Sequence, residues 1–322
     1  MTVLIPTECD YYDAHGNGEE VQKYMDFKQR SRTDPNLKQQ FPWSFEVVDG
    51  YFKQTDPEVD DQLFDYIGED FGRLKPWAEI LDALEELNKT APSNVAYKLI
   101  FCARHGQGYH NVVYEKYGHV EWEAKWGALT SDGAIVYGPD PELTPKGIEQ
   151  AKINHRAWKK QLILGAPIPD VFYCSPLQRS CLTLHHTWDE LRPRHKKPII
   201  KEILRETIGI DTCDQRSSKL VIEERFGDLG YVVEGGFTEM DTLWSAHSRE
   251  SYSEQTIRID RFFQDLFEQE WDHHNDHSKR HSIVSTTSHA GTIRCMLLTV
   301  GHRPFAISTG GMIPLMVKAT RN

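Results

Sequence analysis

Arg104, His105 and Gly106 stand directly after the apolar run Leu99-Ile100-Phe101-Cys102-Ala103, and Asn111 follows after four intervening residues. Arginine offers planar, bidentate recognition of phosphate, and a neutral imidazole can attack phosphorus as a nucleophile. Two further segments repeat the pattern of a polar group at the end of an apolar run. Ser175-Pro176-Leu177-Gln178-Arg179 places a second guanidinium after residues 170–174, and Ser288-His289-Ala290-Gly291 places a second imidazole after residues 282–287. Ile203-Leu204-Arg205-Glu206 ends another such run on a carboxyl group.

Those runs must be strands for the polar groups to meet. Short apolar stretches at 97–103, 170–174, 198–203 and 282–287 read as strands, with helices starting at Pro176 and Ala290 directly after two of them. Thr144 is suited to cap a helix with Pro145 at its first position. Strands alternating with helices imply a largely parallel sheet covered on both faces, and in such sheets ligands bind outside the carboxyl ends of the strands. Before residue 96, Trp77–Leu87 has helical spacing behind Pro76, and 45–48 with 51–52, around Asp49-Gly50, reads as a hairpin. Ile257, Phe262, Phe263, Leu266 and Phe267 mark an amphipathic helix.

The string Arg104-His105-Gly106-Gln107-Gly108-Tyr109-His110-Asn111 resembles the signature of the histidine phosphatase superfamily, in its phosphoglycerate mutase-like branch and more specifically its fungal phosphomutase-like members. Three more motifs follow in the family's order: Asp140–Ala151, Ser175–Thr183 and Ser288–Arg294. The resemblance implies a three-layer α/β/α sandwich with a mostly parallel central sheet. Residues 1–95 would be an extension packed on the core, and 96–322 the histidine phosphatase domain with an insertion at about 207–280. Residues 1–95 read as carrying little chemistry.

By the same resemblance, His105 attacks the phosphoryl group and becomes a phosphohistidine. Arg104 and Arg179 clamp the non-bridging oxygens, and His289, partly protonated against a dianion, donates to them. Glu206 occupies the place of the acid that protonates the leaving group, which requires a carboxyl held protonated by burial or by the anionic substrate. Asn111, Gln107, Gly108 and Ala290 are the expected substrate contacts. Gln107-Gly108 replace the Glu-Ser of typical mutases, and Thr207-Ile208-Gly209-Ile210 departs from their Glu-Arg-aromatic-Gly continuation. Metal-independent hydrolysis of phosphate monoesters is therefore preferred to a phosphomutase activity; a non-catalytic binding module is the third reading.

Other clusters have plainer explanations. His273, His274, His277 and His281 fit no standard metal spacing and read as a solvated loop. Trp122 and Trp126, four apart, read as core packing that could also wall a pocket, and Thr309-Gly310-Gly311 as a turn.

Composition limits the partners. The 322 residues carry a formal charge of −11, which argues against nucleic acid, although a local pocket of arginines can still hold a phosphorylated small molecule. No stretch approaches the roughly 20 apolar residues that span a bilayer, and the first residues are too short for a secretory h-region. Six scattered cysteines show no metal or redox spacing and read as reduced thiols, with the cytosol as the default compartment. No cofactor is implied. Oligomeric state is left open.

Overall fold

A computed structural model describes residues 4–16, 18–269, 271 and 281–322. Three helices come first: α1 (Glu8–His15), α2 (Gly18–Thr33) and α3 (Pro35–Gln40). Then follow β1 (Trp43–Val47), α4 (Trp77–Thr90), β2 (Val95–Arg104), α5 (Tyr109–Ala124) and α6 (Pro145–Ile163). The middle of the chain forms β3 (Val171–Cys174), α7 (Gln178–Trp188), β4 (Ile199–Ile200), α8 (Lys219–Phe226), β5 (Val232–Val233) and α9 (Tyr252–Glu268). The last elements are β6 (Ile283–Ser288), α10 (Ala290–Thr299) and β7 (Met312–Arg321).

The seven strands form one sheet in the order β1-β7-β2-β6-β3-β4-β5. Pairing is parallel from β2 through β6, β3 and β4 to β5, and antiparallel where β7 meets β2 and β1. Side chains alternate across each strand, so neighbouring residues on one strand enter opposite layers. On β3, Phe172 meets Trp188 of α7 at a ring separation of 5.0 Å, while Tyr173 meets Phe262 of α9 at 5.8 Å. Phe101 joins the first layer, against Trp77 of α4 and Trp158 of α6; Phe45 joins the second, against Phe263. A helical layer therefore covers each face, as expected for an α/β/α sandwich. Full burial of each such aromatic contributes on the order of 2–3 kcal/mol.

Several local expectations match these elements. Thr144 Oγ1 accepts the Gly147 amide with Pro145 at the first helical position, and α9 carries the amphipathic face. Others are corrected. Residues 45–47 pair with β7 (Phe45 opposite Ala319) instead of with 51–52: Asp49-Gly50 does bend the chain, but the long strand β7 offers β1 a complete ladder. The strand expected at 198–203 is limited to Ile199–Ile200, because Glu202–Leu204 coil into a 3-10 turn that carries Arg205 inward to Asp241 and the Asp214 carbonyl. Helix α7 starts at Gln178, not Pro176, since the Asp140 carboxylate accepts the Gln178 amide and sets the first turn there. All six cysteines are free thiols, five of them buried. Among the described residues no helix is long and apolar enough to cross a membrane.

Candidate active site

The parallel pairing of β2 with β6 puts Arg104 opposite Ser288, so the next residue on each chain, His105 and His289, emerges at the same sheet edge. Their rings lie 5.0 Å apart, centroid to centroid. The His105 backbone amide donates to Ser288 O, and its carbonyl accepts from Gly310 N, so main chain on both sides holds the loop. Gly106 permits a close approach: a Cβ there would strike the Gly147 carbonyl at the start of α6. The imidazole of His105 is oriented by Nδ1, which lies 2.7 Å from the Gly106 carbonyl. A carbonyl can only accept, so Nδ1 bears the proton and Nε2 keeps its lone pair.

Around Nε2 the positive groups converge. Arg179 Nε donates to it over 3.3 Å, while Nη1 donates to the Cys213 carbonyl at 2.8 Å and Nη2 to Asp214 at 2.6 Å. Arg104 Nη1 is held by the Asp10 carboxylate and the Ile307 carbonyl, and Arg104 Nε is buried with no partner. His289 Nε2 lies 2.7 Å from the buried Ser175 Oγ, whose proton has no other acceptor among the described residues; the hydroxyl is therefore assigned as donor to Nε2, and Nδ1 carries the ring proton. That Nδ1 is buried and unpartnered. These are two buried donors without acceptors beside the His105 imidazole, hydrogen bonds that an anion can complete.

Burial sets the protonation here. Desolvation first, then the Arg179 and Arg104 guanidiniums, pushes His105 well below the usual histidine range. The same causes act on His289, with Arg179 ahead of His105, His110 and Arg104. Without an anion both rings are neutral. The His105 ring opens on a cavity of about 450 Å³.

The histidine phosphatase superfamily (branch 1) matches residues 100–308, the segment that carries all of these groups except Asp10 and Gly310. The chain belongs to this superfamily. It is 38% identical to a "Probable phosphoglycerate mutase" of Arthroderma benhamiae, covering 85% of this chain and 84% of that one. It is 36% identical to "Phosphomutase-like protein 3" of Candida albicans, covering 83% and 78%. Among solved structures, a phosphoserine phosphatase of Entamoeba histolytica in complex with 3-phosphoglyceric acid is similar over 64% of this chain and 82% of that one, at 19% identity and a TM-score of 0.35.

In this superfamily member the residues singled out in the sequence fall into two groups. Arg104, His105, Arg179, Glu206, Asn111 and Ala290 line the cavity, and His289 stands directly behind Ala290. Asn111 Oδ1 accepts the Gly108 amide, so its NH2 is the group left for a ligand. Glu206 is fixed by three donors: Gly291 N on Oε2, and Thr207 N and Gln255 Nε2 on Oε1. Gln107 and Gly108 are turned away from the cavity. The Gln107 carboxamide accepts from Thr144 Oγ1 at the start of α6, and Gly108 is small because a Cβ would strike the His110 ring. Neither is among the residues that line the cavity; both shape the loop. Trp122 packs with Val113, Tyr137 and Cys213 and lines one wall; Trp126 stacks on Tyr117 behind it. His273, His274 and His277 lie outside the described residues.

Four groups were assigned no role from the sequence, although His110 and Asp140 lie within its motifs. Asp214 holds Arg179, Asp140 caps the helix that carries it, His110 packs 5.5 Å from the His105 ring, and Asp10 holds Arg104. Asp10 comes from the segment expected to carry little chemistry, yet it reaches the Arg104 guanidinium. A Thr7-x-x-Asp10 capping pattern could have placed a helix start there, but not its partner.

Asp211 lines the same cavity beside Arg249, 3.0 Å away, and burial pushes its carboxyl up to about 7. The folded protein then holds this proton to higher pH than the unfolded chain does, so the group costs stability as pH rises from about 4 to 8. At 1.36 kcal/mol per unit the ceiling is ~4 kcal/mol. Asp211→Asn should therefore gain Tm relative to the parent as pH rises from 4 to 8. Thermal melts of both proteins across that range check it; a pH-independent difference contradicts the assignment.

Proposed function

We propose that this protein hydrolyses phosphate monoesters through a phosphohistidine on His105, without a metal ion. One observation carries the reading: neutral His105, its unprotonated Nε2 beside the Arg179 guanidinium, lines a pocket with Arg104, whose Nε is a buried donor without an acceptor, as is Nδ1 of the neighbouring His289 ring. A phosphoryl group bound there meets the nucleophile in line, while Arg104, Arg179, His289 and the Asn111 amide neutralise its equatorial oxygens. Nε2 attacks phosphorus, the P–O bond to the alcohol breaks, and Glu206 gives the departing oxygen its proton. Water, deprotonated by Glu206, then attacks the phosphohistidine and returns free phosphate and neutral His105.

The named relatives raise a phosphomutase as the second reading. Its primer is a bisphosphorylated compound, and the outer cavity is poorly suited to a second phosphate. Asp13, Glu115, Glu123, Asp211 and Glu250 line it, against Lys146 as its one lysine. Its arginines are already engaged: Arg249 with Asp211 and Glu123, and Arg294 with the Asp13 carbonyl and the Tyr252 ring. Hydrolysis is favoured on that ground.

The test is a panel of phosphorylated metabolites assayed for inorganic phosphate, with and without exhaustive chelation. Phosphate should appear in proportion to substrate lost, and chelation should leave the rate unchanged. With 3-phosphoglycerate plus bisphosphoglycerate, little 2-phosphoglycerate should form. Fast isomerisation without phosphate release would establish the mutase instead, and activity restored only by added divalent ion would exclude the metal-free mechanism.

A further inference from the structure

We infer that Asp10, on the N-terminal helix α1, is a positioning residue for Arg104 and makes residues 7–15 a working part of the phosphate site. The inference rests on the phosphate-site reading above. Its basis is which edge of the guanidinium is taken. Asp10 Oδ1 and the Ile307 carbonyl both accept from Nη1 of Arg104, and Nε has no partner. Two acceptors on one nitrogen leave the Nε–Nη2 edge, the fork that matches two oxygens of a phosphoryl group. A carboxylate competing with substrate would sit on that fork. Asp10 sits behind it.

The carboxylate is itself immobilised. Its other oxygen, Oδ2, accepts from Thr7 N at 2.8 Å and Thr7 Oγ1 at 2.9 Å, in a reciprocal cap that closes the first turn of α1. The helix is tied down at two more points, where Arg294 of α10 donates to the Asp13 carbonyl and His15 meets Asp61 at 2.8 Å. Side chains of Asp10 and Arg104 are 10% and 7% exposed, so water competes little for the pair. Arg104 is thus fixed by the Ile307 carbonyl, 203 residues later in the chain, and by a segment 94 residues earlier. A guanidinium free to rotate would lose the fork geometry at the moment phosphoryl charge spreads.

The experiment is a double-mutant cycle on the full chain, reading kcat/KM on p-nitrophenyl phosphate and the dissociation constant of inorganic phosphate by calorimetry. Asp10→Ala should lower kcat/KM by roughly 10–100-fold, less than deleting a direct oxyanion donor, and weaken phosphate binding. In an Arg104→Ala background the same change should cost less than about twofold, because its effect passes through a guanidinium already gone. Asp10→Asn keeps an acceptor for Thr7 and supplies the cycle if the alanine variant fails to fold; it should give a smaller loss with the same non-additivity. Losses that add in the double variant, or an Asp10→Ala protein within twofold of the parent on both readouts, would overturn the inference. An Arg104→Ala protein that binds phosphate as well as the parent would instead overturn the phosphate-site reading itself.

Discussion

Replacing His105 by alanine should lower turnover by at least ~10³-fold, the scale on which enzymes respond to loss of a residue that acts as the nucleophile. The fold should survive, because the side chain makes two hydrogen bonds, to the Gly106 carbonyl and from Arg179 Nε, each worth about 1 kcal/mol. Brief mixing of the parent with ³²P-labelled substrate and an alkaline quench should leave acid-labile label on His105. The variant should carry none. Its failure has a local cause: Arg104, Arg179 and His289 would still bind the anion but nothing would attack it, so phosphate affinity should outlast turnover. Label on another residue, or near-parental turnover by the variant, would remove His105 from this role.

Glu206→Gln should separate two classes of substrate. For alkyl phosphates, whose alkoxide cannot leave without a proton, we expect a loss of about 10²–10⁴-fold; p-nitrophenyl phosphate, whose leaving group needs none, should lose far less in the phosphorylation step. The glutamine also turns an NH2 toward at least one of the three N–H groups that Glu206 accepts, at a stability cost of roughly 1–3 kcal/mol. A melt of the variant measures that cost separately. Equal losses on both substrates would assign Glu206 to holding Gly291 at the start of α10, and the acid would then be sought among the carboxyls beside it.

What was legible in the sequence was local. A strand followed at once by Arg104-His105, a helix opened by Thr144-Pro145, and a second histidine ahead of Ala290 depend on residues within a few positions of each other, where side-chain period and capping chemistry act directly. The sandwich class followed from strands alternating with helices, and the cavity-facing positions of Arg104, His105, Arg179 and Glu206 followed from their places at strand ends. Their order in the chain was enough to propose the chemistry.

Partner choice across the chain belonged to the tertiary structure. Trp43–Val47 took β7 as its neighbour, nearly three hundred residues away in sequence, although a turn stood ready to fold it back on residues 51–52. Gln107 looked like a substrate contact from its place beside His105, yet Thr144 Oγ1 claimed its carboxamide. Asp10 and Asp214 have no pattern that marks them, because a carboxylate that compensates a buried arginine needs only to arrive in space, from whichever segment the packing delivers. The sequence by itself determined the reactive groups and the strand ends that carry them, since periodicity and capping are short-range. Only the fold decided which side chains hold those groups in line, since long-range pairing is chosen by burial and hydrogen-bond satisfaction over the whole chain.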